Sequence, residues 1–222
     1  MVTMGFFITF EGIEGCGKTT QLNLLREFLT GKGYTVIATR EPGGTLLGDI
    51  IRKLVLATGT KPLDRKAELM LYQASRAQHM HEVIQPALTR GQVVLCDRFC
   101  DATLAYQGYA QALPLHQIEM LNQFTSDNRS PDFTVLIDCP VEVGLARALE
   151  RATRCSQSLS EDRFDKEDLD FHRLVRQGYL AIAERHSERF LIVDGTQAPD
   201  AIQEIIRPAA LGRLTGPHKA SG

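Results

Sequence analysis

The sequence lacks any apolar run long enough to span a bilayer, and residues 1–10 lack the basic region and cleavage site of a signal peptide. Its five cysteines are odd in number and include no C-x-x-C pair, which argues against a disulfide framework or a zinc site. The formal net charge of −2 creates no overall field that would attract nucleic acid or an anionic membrane. We therefore expect a cytoplasmic protein that binds neither nucleic acid nor membrane.

The sequence also lacks internal repeats, low-complexity segments and long linkers, so its 222 residues are consistent with one domain. Short apolar segments alternate with segments of helical spacing, a pattern typical of a parallel sheet covered on both faces. The predicted strands are Phe6–Phe10, Thr35–Thr39, Val93–Asp97, Thr134–Asp138 and Phe190–Val193. The predicted helices are Thr19–Thr30, Leu46–Leu56, Lys66–Thr89, Leu115–Phe124, Val141–Arg151, Glu167–His186 and Ala198–Ala209. We therefore predict a three-layer α/β fold that binds its ligands at the carboxyl ends of a five-stranded parallel sheet.

A glycine-rich segment follows the first predicted strand. Residues 12–19 read G-I-E-G-C-G-K-T, which fits the phosphate-loop pattern G-x-x-x-x-G-K-[ST]. A strand precedes it and a helix follows it, and this context disfavours a chance glycine turn. We predict that Lys18 and the loop N–H groups bind nucleotide phosphates, and that Thr19 binds Mg²⁺. The residues predicted to bind the nucleotide are Gly12, Ile13, Glu14, Gly15, Cys16, Gly17, Lys18, Thr19 and Thr20.

Charged residues stand at the ends of the second and third predicted strands. Arg40 and Glu41 precede a Pro-Gly-Gly turn and are placed to face the cleft, although a solvated surface loop is the alternative. At the exit of the third strand, Asp97 is suited to orient Mg²⁺ or its waters, and Arg98 to hold a phosphate in a bidentate manner. An internal Asp–Arg ion pair is the alternative for these two residues.

Four arginines surround a polar run at residues 156–162. Arg147, Arg151, Arg154 and Arg163 suit a closing lid, at about residues 151–163, that excludes water and brings positive charge to a transferring phosphoryl group. A solvated helix end without function is the alternative for some of them, because several face outward on any helix.

Several motifs, taken in chain order, resemble the thymidylate kinase family of nucleoside monophosphate kinases from about Phe7 to Ile206. They read F-E-G-I-E-G-C-G-K-T-T, T-R-E-P-G-G-T, S-R-A-Q-H, D-R-F-C-D-A-T-L-A-Y-Q-G and V-D-G-T, with the arginine-rich segment before the last. The second and fourth motifs separate this family from adenylate, guanylate and cytidylate kinases. The resemblance implies a P-loop NTPase fold with a lid in one kinase domain at residues 1–213, and we expect a disordered tail at residues 214–222.

The resemblance further implies that a homodimeric enzyme transfers the γ-phosphoryl group of ATP, with Mg²⁺, to dTMP and gives dTDP and ADP. By position, Thr19 and Asp97 match the metal site. No variable position of the loop is basic, so the assisting arginine is expected from the lid, at Arg151 or Arg154 rather than Arg147. The residues predicted to take part in catalysis are Lys18, Asp97, Arg98, Arg151 and Arg154.

The acceptor side is implied by the same resemblance. Arg40 and Arg98 match residues that contact the dTMP phosphate, Arg76 matches the arginine that reaches thymine, and Tyr106 matches the tyrosine under the deoxyribose. Thymine carbonyl oxygens accept hydrogen bonds, so Arg, Thr and Gln donors suit them. The residues predicted to bind the substrate are Glu14, Arg40, Tyr72, Arg76, Arg98, Thr103, Tyr106 and Gln107.

Two other functions compete with this interpretation. A deoxynucleoside kinase would not need Arg40 and Arg98 to hold a second phosphate. The other is a nucleotide-dependent switch or regulatory protein that binds ATP or GTP and hydrolyses it slowly. A GTP-binding switch would carry an Asn-Lys-x-Asp motif, which the sequence lacks, and the lid arginines favour transfer between two bound nucleotides. The expected acceptor is therefore a nucleoside monophosphate.

Two residue types remain outside these motifs. Cys16 lies beside Lys18 and a helix N-terminus, an environment that lowers a thiol pKa, so it is either a reactive thiol or a space-filling one. The histidines at positions 79, 81, 172 and 186 have no partner pattern of carboxylate or cysteine, so we expect surface or packing roles for them.

Overall fold

The sheet is five-stranded and fully parallel, as predicted. A computed structural model of the protein describes residues 5–57, 63–154 and 168–216. Within these residues the strands are β1 (Phe6–Glu11), β2 (Val36–Arg40), β3 (Val93–Asp97), β4 (Phe133–Asp138) and β5 (Phe190–Asp194). They pair in the order β2-β3-β1-β4-β5, and each strand end lies within one residue of its predicted position.

Helices cover both faces of this sheet. The described helices are α1 (Lys18–Gly31), α2 (Leu46–Leu56), α3 (Arg65–His79), α4 (Gln85–Thr89), α5 (Cys100–Thr103), α6 (Leu115–Thr125), α7 (Val141–Arg154), α8 (Leu169–Arg185) and α9 (Pro199–Thr215). Two π-helical segments, Met80–Ile84 and Leu104–Ala110, follow α3 and α5. The first joins α3 to α4, so the helix predicted at residues 66–89 is one run with a wider turn inside it.

The helical segment at residues 100–110 was not predicted. Residues 104–108 are all buried, so this segment has no exposed face and shows no helical alternation of apolar and polar residues. Helical periodicity detects amphipathic helices and cannot detect one that is buried all round.

The alternation of side chains along β1 fills two cores. Phe6, Ile8 and Phe10 point into the larger core, and Phe7 points into a smaller core on the opposite face. Because successive residues of a strand face opposite sides, a strand that is buried throughout requires helices on both faces. All six residues of β1 are buried, as expected of the central strand of the sheet.

The carboxyl ends of the strands meet at one edge of the sheet. Asp97 lies beside Phe10 on one side and Arg40 on the other in the strand register. The glycine-rich loop leaves β1 at this same edge and leads into α1. The phosphate loop and the charged residues at the ends of β2 and β3, which the sequence analysis predicted to form the site, are therefore neighbours.

The C-terminal helix runs past its predicted end. It ends at Thr215 rather than Ala209 and thus includes the first two residues of the segment expected to form a tail. Residues 217–222 lie outside the described part of the chain. Within the described ranges, no helix combines the length and the apolar character that crossing a membrane requires.

Candidate active site

The glycine-rich loop turns sharply between β1 and α1. Gly12, Gly15 and Gly17 have φ angles of 138°, 66° and 105°, in a region that residues other than glycine rarely adopt. A Cβ atom on Gly15 would lie 1.9 Å from the carbonyl oxygen of Gly144 in α7, so close packing also requires glycine there. Helix α1 begins directly after Gly17, and the N-terminus of a helix favours a bound anion.

Lys18 folds over this loop. Its ammonium group donates to the carbonyl oxygens of Gly12 at 3.0 Å and Ile13 at 2.7 Å, and its side chain is buried. The positive charge is thereby held above the loop, where the phosphates of a nucleotide would meet it.

Of the two alternatives for Cys16, the structure favours the space-filling thiol. The thiol is only 1% exposed, and burial raises its pKa in spite of the nearby Lys18 ammonium. Desolvation disfavours the thiolate more than the positive charge favours it. Cys16 is therefore a space-filling thiol of the loop.

Thr19 and Asp97 form an oxygen pair at the end of the loop. The Thr19 hydroxyl donates to Oδ2 of Asp97 at 2.5 Å. No group of three or more His, Cys, Asp or Glu side chains gathers into a metal site among the described residues. This donor set fits Mg²⁺, which is bound through one or two protein oxygens and completes its shell with waters and substrate phosphates.

Arg98 pairs with a carboxylate of the loop and not with its neighbour Asp97. Its guanidinium donates to Oε1 of Glu14 at 2.9 Å and stacks 4.8 Å from the centre of the Tyr106 ring. The Tyr106 hydroxyl donates to the same Glu14 oxygen at 2.5 Å. The alternative of an internal Asp97–Arg98 ion pair is therefore not what the structure shows.

The carboxyl of Glu14 is a buried anion. Burial alone would raise its pKa, but the Arg98 guanidinium and the adjacent His172 ring hold that pKa well below its usual range. His172 is itself fully buried, with Nδ1 3.3 Å from Oε2 of Glu14. The expected surface or packing role of His172 is therefore incomplete: its carboxylate neighbour lies far away in sequence, where no local pattern could indicate it.

Arg76 is fully buried and held on every side. Its guanidinium donates to Oε2 of Glu41 at 2.8 Å, to Oδ1 of Asn122 at 2.7 Å and to Oγ1 of Thr103 at 2.9 Å. His79 bonds Oε1 of the same Glu41 at 3.0 Å, a carboxylate contact that the sequence pattern around His79 did not indicate. The planar group is fixed in one orientation before any substrate arrives.

The Gln107 side chain is oriented from behind. Its Nε2 donates to Oε1 of Glu68 at 2.9 Å, and Gln111 donates to the same oxygen at 3.0 Å. Gln107 lines the cleft and Glu68 does not. A carboxylate that accepts the amide N–H leaves the carbonyl oxygen of Gln107 as the group that faces the cleft, so the expectation that Gln107 donates to a thymine carbonyl is wrong.

These side chains line a cleft beside the loop that is open to solvent. The lining residues that the sequence predicted are Glu14, Tyr72, Arg76, Arg98, Thr103, Tyr106 and Gln107. Glu41, which the sequence placed at the cleft without a binding role, also lines it. The lining residues that the sequence missed are Pro42, Arg52, Leu56, Phe99 and Ala102. Pro42 lies within T-R-E-P-G-G-T, which was a usable signal, whereas Arg52 and Leu56 lie on an ordinary amphipathic helix that gave no signal.

Arg40 lies apart from this cleft. It is exposed, pairs with Asp49 at 3.1 Å and is not among the lining residues. Its proposed contact with the acceptor phosphate stays a prediction.

The predicted lid falls largely outside the described residues. Residues 155–167, including Arg163, and the Arg154 side chain are not described, and Arg151 is exposed near the end of α7. Arg147 donates to the carbonyl oxygen of Gly195 at 2.7 Å, which agrees with its assignment to the helix.

The parallel sheet and the glycine loop that opens α1 together define a P-loop NTPase fold. The thymidylate kinase family model matches residues 10–206. The chain is 52% identical to the thymidylate kinase of Geotalea daltonii over 96% of this chain and all of that one. It is 56% identical to that of Geobacter sp. (strain M21) over 98% of this chain and 96% of that one.

A solved structure agrees with these relatives. The crystal structure of thymidylate kinase from Ehrlichia chaffeensis has a TM-score of 0.73 and 34% identity, and the match covers 93% of this chain and 99% of that one. The chain belongs to the thymidylate kinase family and is therefore a kinase.

Proposed function

We propose that this kinase transfers the γ-phosphoryl group of Mg-ATP to dTMP and releases ADP and dTDP, a step towards dTTP. The observation that carries this proposal is the cleft beside the phosphate loop. It is lined by Arg98, by the fixed guanidinium of Arg76 and by the aromatic ring of Tyr72. These groups match, in turn, the phosphate, the base edge and the base face of a pyrimidine nucleotide.

The donor nucleotide lies on the loop side. The helix N-terminus and the Lys18 ammonium favour the polyphosphate of ATP, and Mg²⁺ held by Thr19 and Asp97 supplies further neutralisation of its charge when bound. Phosphoryl transfer of this kind needs two anions held in line, and no nucleophilic side chain takes part.

The acceptor lies on the cleft side. Arg98 holds the phosphate of dTMP, and Arg76 and Gln107 read the thymine edge. Tyr106 packs below the sugar, with its hydroxyl directed to Glu14. A site with fixed polar groups rejects acceptors that leave those groups unpaired, and this supports selection among bases.

An arginine near the end of α7 assists transfer. Apart from Lys18, residues 12–19 carry no basic side chain, so a further positive charge must come from elsewhere. Arg151 and Arg154 are the candidates. A kcat that falls on replacing one of them, with an unchanged dissociation constant for dTMP, identifies it.

The active molecule is a homodimer. Helix α2 exposes Leu46, Leu47, Ile50 and Leu54, an amount of apolar surface that a monomer rarely leaves in water. Helix α2 packs on α3, which exposes Met70. Sedimentation equilibrium checks this proposal: a mass near 24.7 kDa, that of one chain, contradicts it. The cytoplasmic location stays a prediction.

The deciding experiment measures ADP formation from Mg-ATP with dTMP, dUMP, dCMP, AMP, GMP or no acceptor. We expect high turnover with dTMP, less with dUMP and little with the others. Preference for a different monophosphate would retain the kinase and overturn the base contacts. Hydrolysis that does not depend on an acceptor would overturn the proposed reaction.

A further inference from the structure

Glu11 is a buried carboxyl group that the proposed reaction does not use. It ends β1, is 0% exposed and is not among the residues described as lining the cleft. Burying a carboxyl is costly unless hydrogen bonds compensate for the lost water, so its partners are informative.

The hydrogen-bond partners of Glu11 connect it to Arg98 by two routes. Oε1 of Glu11 accepts from the backbone N–H of Phe99 at 2.7 Å, one residue after Arg98. Oε2 accepts from the Tyr179 hydroxyl at 2.9 Å. The Tyr179 oxygen in turn accepts from the Arg98 guanidinium at 3.1 Å. One carboxyl thus fixes both the backbone after Arg98 and, through Tyr179, the end of its side chain.

Arg98 has a conformation that needs such support. Its φ angle is 70°, in the left-handed region that is unfavourable for a side chain as long as arginine. Its own N–H donates to the carbonyl oxygen of Phe10 at 3.0 Å, which fixes the preceding side. A strained backbone of this kind persists only where the surrounding contacts determine it.

We propose that Tyr179 and Glu11 are positioning residues that hold the Arg98 guanidinium at the acceptor phosphate. Neither residue lines the cleft in the described part of the chain, so the proposed role of each acts through Arg98. The inference rests on the proposed function, because it takes Arg98 as the group that binds the phosphate of dTMP. Tyr179 therefore sets the affinity for an acceptor phosphate from outside the cleft.

The test is Tyr179→Phe, which removes one oxygen and keeps the buried ring. We expect the dissociation constant for dTMP to rise about tenfold, as for the loss of a buried hydrogen bond to a charged group. The affinities for thymidine, which has no phosphate, and for ATP should not change. The matched control is Tyr109→Phe, which removes a hydroxyl that accepts from the exposed Arg185.

A double-mutant cycle separates positioning from packing. In an Arg98→Ala background, Tyr179→Phe should cause no further loss of dTMP affinity, because the group that it positions is gone. A loss that persists there, or an equal loss for thymidine, would overturn the proposal. Glu11→Gln is the second variant if Tyr179→Phe does not fold, and the same pattern is expected of it.

The activity of the wild-type protein distinguishes failure of the proposed function from failure of the inference about Tyr179 and Glu11. If it does not phosphorylate dTMP at all, the proposed function fails. If it does, and Tyr179→Phe binds dTMP as tightly as the wild type, the inference about Tyr179 and Glu11 fails on its own.

Discussion

The phosphate loop and the acceptor cleft are built in different ways. The loop depends on consecutive residues 12–19 and on the backbone angles of its glycines. The cleft is lined by side chains from α2, from α3, from the residues that follow β3 and from the π-helical segment Leu104–Ala110. In the loop, the key ammonium bonds to backbone carbonyl oxygens five and six residues away. In the cleft, Arg76 bonds to Glu41, Thr103 and Asn122, which lie 27 to 46 residues away. Backbone geometry therefore defines the donor side, and long-range side-chain contacts define the acceptor side.

The largest effect is expected on the donor side. Lys18→Ala should lower kcat by about 10³-fold, because it removes a positive charge aimed at the transferring group. The KM for dTMP should change little, since that site lies in the cleft. Steady-state kinetics check this, with the exposed Lys32→Ala as the control. Equal kcat values for the two variants would contradict the assignment.

A smaller loss is expected from the acceptor side. Arg98→Ala should lower kcat/KM for dTMP by about 10²-fold, because it removes a phosphate ligand and leaves buried Glu14 without its ion pair. ATP binding, measured by calorimetry, should persist. The control is the exposed Arg185→Ala. If ATP affinity collapses, Arg98 belongs to the donor side and the comparison is wrong.

A change in base selectivity should follow from Glu68→Gln. The new amide can accept or donate, so Gln107 is no longer forced to present its carbonyl oxygen to the cleft. We expect the preference for dTMP over dCMP in kcat/KM to fall about tenfold. The exposed Glu204→Gln is the control. An unchanged preference would show that Glu68 serves stability alone.

The pH dependence of stability should depend on Glu11. Burial, and next the nearby Asp101, raise its pKa from 4.5 to about 8, although Arg98, Tyr179 and the Phe99 N–H act in the opposite direction. This raised pKa stabilises the folded protein. The stabilisation is fully present below pH 4.5, the pKa in the unfolded chain, and it is lost as the pH rises through 8.

Glu11→Gln should therefore flatten the free energy of unfolding between these two pH values. Urea titrations at a series of pH values measure it, and Glu204→Gln should keep the wild-type slope. Parallel pH profiles for wild type and Glu11→Gln would show that Glu11 titrates at its ordinary pKa in the folded protein.

The smallest effect concerns the loop thiol. Because Cys16 is buried and its pKa is raised, iodoacetamide should give no adduct on Cys16 in the native protein, with or without ATP. Peptide mass mapping checks this, and labelling in denaturant is the positive control. An adduct that ATP prevents would show that the loop opens.

The fold was predictable because its signals are local. The short apolar strands and the loop motif each depend on fewer than about ten consecutive residues, and strand periodicity locates them within a residue. The buried helical segment at residues 100–110 was not predictable in this way, because periodicity requires an exposed face.

The site was predictable only as far as motifs extend. Tyr72 and Arg76 line the cleft together because they are four positions apart on one helix face. The partners of the buried histidines were not predictable, since Glu14 and His172 are 158 residues apart and meet only through the fold. Arg52 was missed for the same reason: its position depends on how α2 packs.

The contact between Gly15 and Gly144 has a consequence for how this protein tolerates mutation. A Cβ on Gly144 would lie 2.5 Å from the carbonyl oxygen of Glu14. Helix α7 and the loop can therefore pack this closely only if both positions are glycine. Gly144 lies in none of the recognised motifs, yet a saturation scan scored by growth should find it about as intolerant as the loop glycines. The sequence that dictates phosphate binding thus extends beyond the loop, to a helix 129 residues further along the chain.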